Sequence, residues 1–252
     1  MKTMTKSDLM FGHKVFKSVF SSEEIAQINE KALQLAVAKD QKNSVWKYFD
    51  HHTGLLSRIE YFINFSSFFK DLSNNRKLLD ALSTLVPRSP VLFKDKINFK
   101  YSGGEGFVPH QDITAGWGDY SSFHATIAIP LTDTTLENGG LYFSETLNTQ
   151  LTPNHVDISE KEANKLKYTF AGTTKGDMII FDSYVAHKSY INNSQYSRPI
   201  LFFTYTFDNE NYYEKYHQDK FTNNPPDIYK IAGQAYRSNQ GCGNEVIFKS
   251  EN

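Results

Sequence analysis

The sequence predicts one domain over residues 1–252, mainly β with flanking helices, its strands forming a jelly roll or barrel. Two amphipathic helical stretches lie before residue 90. From Val91 onward the texture changes to short apolar runs separated by turn residues, the spacing of an all-β core. Aromatic residues make up 15% of the chain, which suits a β-rich core with a walled pocket.

The first helix starts at Ser21-Ser22-Glu23-Glu24, where Ser21 can cap it and Glu24 can reach back to close a capping box. Ile25, Ile28, Ala32 and Leu35 then follow at helical spacing. A second stretch from about Asn75 to Leu85 puts Leu78, Leu79, Leu82 and Leu85 on one stripe, and Pro87 and Pro90 end it. The predicted strands are Val91–Tyr101, Val108–Asp112, His124–Leu131, Gly140–Phe143, Lys167–Phe170, Asp177–Phe181 and Pro199–Phe207. Gly103-Gly104, Asn138-Gly139-Gly140, Lys175-Gly176-Asp177 and Asn192-Asn193-Ser194 supply turns between them.

Composition excludes several classes. With 27 Lys+Arg against 28 Asp+Glu, the net charge of −1 favours neither nucleic acid nor a membrane as partner. The single cysteine, Cys242, rules out an internal disulfide framework and a cysteine-rich zinc site. The N-terminus lacks the apolar core of a signal peptide and no run is long enough to span a bilayer, so a cytoplasmic protein is expected.

The stretch GEGFVPHQD places His110 and Asp112 two positions apart after a glycine-rich turn. On a strand, residues i and i+2 share a face, so an imidazole and a carboxylate could converge. His187, 77 positions later, ends the run GDMIIFDSYVAH: a turn, an apolar strand and a polar loop. Two histidines and one carboxylate on one face of a metal leave positions open, the arrangement of non-haem iron(II) oxygenases. Zinc more usually takes a nearly closed tetrahedral shell. Arg198, 11 positions after His187, opens an apolar strand, where a buried guanidinium suits a bidentate grip on a carboxylate such as the distal one of 2-oxoglutarate. His13, His51, His52, His124, His155 and His217 lack such surroundings and are read as ordinary histidines.

HQD, then GDMIIFDSYVAH, then Arg198 resembles the phytanoyl-CoA dioxygenase family of iron(II)/2-oxoglutarate oxygenases. KDKINFKYSGGEGFVPHQD, TLENGGL, IIFDSYVAHKS and the late YHQDK and PPD resemble in particular bacterial hydroxylases of 2-aminoethylphosphonate and its N-methylated relatives. The similarity runs from about Ser57 to about Asp227. It implies a double-stranded β-helix, the cupin-like jelly roll, with Fe(2+) on His110, Asp112 and His187. It also implies that Arg198 and Ser189 hold the co-substrate 2-oxoglutarate, with O2 as oxidant. Halogenating relatives have a small residue where this chain keeps Asp112, so the resemblance implies hydroxylation instead.

In the stretch VLFKDKINFK, Lys94, Lys96, Asn98 and Lys100 alternate with Phe93, Ile97 and Phe99. If the polar face looks into the barrel, Lys94 and Lys96 meet an anionic group of the substrate, since buried unpaired ammonium groups are costly. The family places a polar residue at Asn98, which is expected to orient 2-oxoglutarate, and Lys100 is expected to lie outside. Thr126 is a further candidate for the co-substrate. Arg58 and Glu60, from the helical side, and Trp117 and Tyr120, beyond Asp112, are candidates to line the substrate pocket; an aromatic wall can host a cationic amine. Glu137-Asn138-Gly139-Gly140 reads as a structural turn.

The expected function is 2-oxoglutarate-dependent hydroxylation of a small anionic or zwitterionic molecule, foremost an organophosphonate. Hydroxylation, desaturation or cyclisation of an amino acid or other carboxylate is the alternative. A binding protein on an inherited scaffold and a zinc hydrolase are the rivals from other classes; the second leaves Arg198 without a role.

Overall fold

The computed structural model describes residues 9–38, 45–50, 54–147, 150–223, 225–226, 228–231 and 234–237. Cys242, His51 and His52 lie outside the described residues. In chain order the elements are β1 (His13–Phe16), α1 (Ser22–Val37), β2 (Trp46–Phe49), β3 (Leu56–Glu60), α2 (Ser67–Ser73), α3 (Arg76–Ser83), β4 (Val91–Lys100), β5 (Phe107–His110) and β6 (Ala125–Pro130). There follow β7 (Leu141–Ser144), α4 (Glu160–Ala163), β8 (Tyr168–Phe170), β9 (Met178–Asp182), β10 (His187–Ser189), β11 (Arg198–Thr206), α5 (Tyr213–Asn223), β12 (Ile228–Ile231) and β13 (Gln234–Arg237).

The strands form two antiparallel sheets, the jelly roll expected. The major sheet has the order β1-β9-β6-β11-β4-β3-β2-β12-β13, and the minor sheet the order β5-β10-β7-β8. Ala128, Ile179, Phe181, Ile200 and Phe202 of the major sheet pack against Leu141, Phe143 and Ala171, from or beside the minor sheet. The outer face of the major sheet carries Ile59, Ile97, Phe99, Ile127, Ile129, Leu201 and Phe203, which join the apolar stripes of α1 to α3 in the larger core. The Ser21–Glu24 capping box is formed as predicted. Asn75 caps α3 through its side chain, and Leu78 and Leu82 are buried.

Several elements differ from the expectation. The strands β1, β2, β3, β10, β12 and β13 and the helices α2, α4 and α5 were not predicted. β10 is three residues, His-Lys-Ser, with no apolar alternation to announce it; its partners β5 and β7 make it a strand. The strand expected to run to Asp112 ends at His110, and Asp112 opens a 3-10 turn over Asp112–Ala115.

β4 pairs with β11 along its length. Thr204 lies opposite Lys94 and Tyr205 opposite Leu92, so Phe93 is the extra residue of a bulge. Beyond it the register is regular, and Lys96, Asn98 and Lys100 face the minor sheet while Ile97 and Phe99 join the helical core. On the outer face Asp95 accepts backbone N–H bonds from Tyr61, Phe62 and Ile63, each at 2.8 Å, and so fixes the chain leaving β3. Phe62, fully buried there, meets Phe69 edge-on at 5.0 Å and attaches α2 to the sheet. Phe62→Ala should cost about 3–5 kcal/mol of stability in urea unfolding, the range for a buried Phe deleted from a core. Metal affinity of the folded fraction should not change, because Phe62 lies on the face away from the inner polar row.

Candidate active site

β5 and β10 place the two histidines. His110 and His187 are direct partners across this antiparallel pair, and their ring centroids are 4.2 Å apart. Asp112 joins them by the turn after β5 rather than by strand periodicity. Gln111, fully buried, donates from Nε2 to the Tyr184 carbonyl and accepts at Oε1 from Leu151 N–H at 2.7 Å. Ile113 N–H donates to Ser183 O at 3.0 Å. These bonds pin both sides of Asp112, and its Oδ1 lies 3.8 Å from Nε2 of His110 and from Nε2 of His187. Among the described residues this is a group whose three ligand atoms lie within 4.8 Å of one another.

The donor chemistry fits a metal. Nδ1 of His110 contacts Val108 O at 2.8 Å, and Nδ1 of His187 contacts Val185 O at 3.1 Å. A carbonyl only accepts, so each Nδ1 carries the proton and each Nε2 keeps a lone pair directed at the carboxylate. Burial, aided by the neighbouring His110, pushes His187 down to about 4, leaving it neutral. Burial pushes the Asp112 carboxyl up, but the positive charge around it, Lys96 and Lys94 included, outweighs this and holds it below its ordinary value. Three converging lone pairs repel one another unless a cation lies between them, and an N, N, O set on one side suits iron(II).

The cavity beside this cluster is lined by Lys96, Asn98, Phe181, Arg198 and Phe202 among others. Arg198 is 2% exposed and donates to Gly139 O at 2.9 Å and to Asn138 O at 3.4 Å. Burial lowers it to about 10, still charged at neutral pH. The Asn138-Gly139-Gly140 turn therefore does more than begin β7. Gly139 has φ +69°, and a Cβ there would collide with the Tyr190 carbonyl, so only glycine brings its own carbonyl to Arg198.

Lys100, expected outside, is 5% exposed and donates to Ser189 Oγ at 2.8 Å and Tyr190 O at 2.7 Å. The reason is register: β4 remains a regular strand up to Lys100, which therefore shares the face of Lys96 and Asn98. Thr126 is buried, and its hydroxyl shares a hydrogen bond with that of Thr204 at 2.9 Å.

At the other end of the inner face, Glu60 is fully buried and gathers three cations. Lys94 and Arg58 lie 3.2 Å from it, and Lys220 donates to it from α5. Lys94 also lies over the rings of Trp117 and Tyr216, at 5.6 and 5.5 Å. Burial lowers the Lys94 ammonium, but Glu60 outweighs this and raises it above its ordinary value. Lys96 has no acidic partner within ion-pair distance among the described residues; it lies 4.5 Å above the Phe202 ring. Burial and the nearby Lys94 bring it down to about 8. Tyr120 is tied by its hydroxyl to Asp219 of α5 at 2.7 Å, so it braces the helix that closes this end.

Sequence reasoning missed Lys220 and Tyr216 as site residues. A weak signal existed, since Tyr216 and Lys220 stand four apart in YHQDK and share a helix face. His124 and His217 are buried but stand apart from the metal cluster: His124 lies against Phe93 and Trp117, and His217 between Tyr213 O and Asp95.

His110→Ala and His187→Ala should each lose most iron(II) affinity in anaerobic titrations while thermal melting stays near wild type, since each removes a lone pair without opening the apolar core.

Comparison with known proteins agrees with this geometry. The sequence matches the phytanoyl-CoA dioxygenase (PhyH) family over residues 11–200, a span that includes the histidine–aspartate cluster and Arg198. It is 34% identical over 237 residues to a 2-aminoethylphosphonate dioxygenase of an uncultured bacterium, covering 89% of each chain. It is 34% identical over 169 residues to a methylphosphonate hydroxylase of Gimesia maris, covering 65% of this chain and 64% of the other. Among solved structures, EctD from S. alaskensis in its apoform superposes with a TM-score of 0.68 at 20% identity, covering 81% of this chain and 77% of that one. The epimerase SnoN of nogalamycin biosynthesis gives 0.66 at 15% identity, with 78% of each chain covered. The chain belongs to the phytanoyl-CoA dioxygenase family and is a dioxygenase.

Proposed function

We propose that this dioxygenase hydroxylates a small organophosphonate, such as 2-aminoethylphosphonate or an N-methylated relative. Iron(II), 2-oxoglutarate and dioxygen are its metal and co-substrates. His110, Asp112 and His187 hold the iron; Arg198, Ser189 and Asn98 hold 2-oxoglutarate, with Thr126 bracing the wall through Thr204. When bound, the metal couples reduction of dioxygen to loss of CO2 from 2-oxoglutarate, leaving succinate and placing one oxygen atom in a C–H bond. The chain's part is to hold both anions in fixed places and to exclude water from the bond that reacts.

The observation that carries the substrate class is Lys96, which lines the cavity beside the metal cluster with no acidic partner within ion-pair distance among the described residues. Next to it, Lys94, Arg58 and Lys220 stand at the Glu60 carboxylate. A cation that faces a cavity with no acid beside it is more stable when an anion occupies that cavity. A phosphonate, able to carry a second negative charge near neutral pH as a phosphate ester does, offsets a cation there more fully than a single carboxylate. The two relatives at 34% identity carry phosphonate-oxidising names, which supports the same reading.

The test is succinate formation across a panel of aminoethylphosphonates, their N-methyl forms, methylphosphonate and amino acids. Turnover confined to amino acids would overturn the phosphonate assignment, and turnover without dioxygen would overturn the reaction class. Within the active pair, Lys96→Met and Lys94→Met should raise KM for the phosphonate at least tenfold, roughly the value of one charge-assisted contact, while iron affinity holds. Arg198→Ala should weaken 2-oxoglutarate by on the order of 2–5 kcal/mol in anaerobic binding, with little effect on iron.

A further inference from the structure

Lys100 has no place in the reading above, yet its ammonium is buried beside the proposed co-substrate subsite. Arg198 and Lys100 are direct partners across β11 and β4, and both approach the carbonyl of Gly139, at 2.9 and 3.5 Å. Their hydrogen-bond partners among the described residues are neutral: carbonyls and one hydroxyl.

That hydroxyl is Ser189. Its Oγ receives Lys100 Nζ at 2.8 Å and Phe107 N–H at 3.2 Å. An ammonium and an amide N–H can only donate, so Ser189 Oγ accepts twice and both its lone pairs are engaged. What remains is the hydroxyl proton, which is free to point away from both donors and toward an anion.

We infer that Lys100 is a positioning residue for co-substrate binding: it makes Ser189 an obligatory donor toward the distal carboxylate that Arg198 receives. The inference rests on the 2-oxoglutarate reading of this subsite.

The surroundings of Lys100 add a pH dependence. Burial first, and Arg198 second, bring it down to about 7. The charged group facing it is Arg198 on β11. β10 and the loop after it present Ser189 Oγ and Tyr190 O, the turn before β7 presents Gly139 O, and β5 presents the Phe107 ring at 5.7 Å. Above this pKa the neutral amine gains a lone pair and can accept the Ser189 proton, turning it away from the co-substrate. The pKa is lowered from that of an ordinary lysine, so the donor arrangement is present below about pH 7 and lost above it. Co-substrate binding favours the protonated form and takes up a proton.

The test is anaerobic calorimetry of 2-oxoglutarate binding to the iron-loaded wild type, Lys100→Met, Ser189→Ala, the double variant and Arg198→Ala. It is run at about pH 6 and about pH 8.5, on either side of the Lys100 midpoint. Lys100→Met and Ser189→Ala should each weaken binding roughly tenfold at the lower pH, the value of one hydrogen bond to a charged group. The double variant should be no weaker than the worse single one, because both act through one hydroxyl. Wild-type affinity should fall between the two pH values, and Lys100→Met should flatten that fall. Iron affinity and melting temperature check that the variants are folded. A double variant about a hundredfold weaker, the product of independent effects, would overturn the inference alone. So would a wild-type affinity that does not change with pH. Failure of the wild type to bind 2-oxoglutarate would overturn the subsite reading and this inference with it.

Discussion

Antiparallel pairing of β11 with β4 sets Arg198 opposite Lys100, Ile200 opposite Asn98, Phe202 opposite Lys96 and Thr204 opposite Lys94. Side chains alternate across a strand, so this one register sends a cationic row toward the minor sheet and Ile97, Phe99, Leu201 and Phe203 toward the helices. A slip of one residue would exchange the two sets, burying lysines among the helices and emptying the cavity of charge. The bulge at Phe93 sits where it does no such damage. It absorbs one residue before the regular part of the pairing and leaves Lys96, Asn98 and Lys100 on the inner face.

The inner face then carries two groups of buried and half-buried cations with different compensation. At the Glu60 end, Arg58, Lys94 and Lys220 share one carboxylate. At the Arg198 end the partners are carbonyls and the Ser189 hydroxyl, with no acid within ion-pair distance among the described residues. Neutral acceptors solvate a cation but do not neutralise it, so the Arg198 end is more stable with an anion present.

Rigidity of the cluster comes from the minor sheet. His187 is held by β5 on one side and β7 on the other, with the rings of Phe143 and Phe181 packed on its imidazole at 5.7 and 5.1 Å. Backbone carbonyls set both tautomers. No side chain need rearrange for the three ligand atoms to converge.

Much of this was legible in the sequence. The capping box, the leucine stripe of α3, the strands from Val91 onward and the spacing of His110, Asp112, His187 and Arg198 are local patterns, and local patterns survive in a linear string. The inward direction of Lys94, Lys96 and Asn98 could be posed from alternation. Only the tertiary structure decided it, because which face of a strand is buried depends on what packs there. The same reason explains Lys100, expected outside and found buried: nothing local separates a solvated lysine from one that meets Ser189 89 residues away. Asp112 reached the histidines through a turn braced by Gln111, not through strand periodicity, and Lys220 reached Glu60 across 160 residues from a helix with a weak apolar stripe. The sequence by itself determined the residue types and their spacing, and thereby the chemistry available. Register and long-range packing determined which of those residues meet, since both arise from contacts between segments distant in the chain.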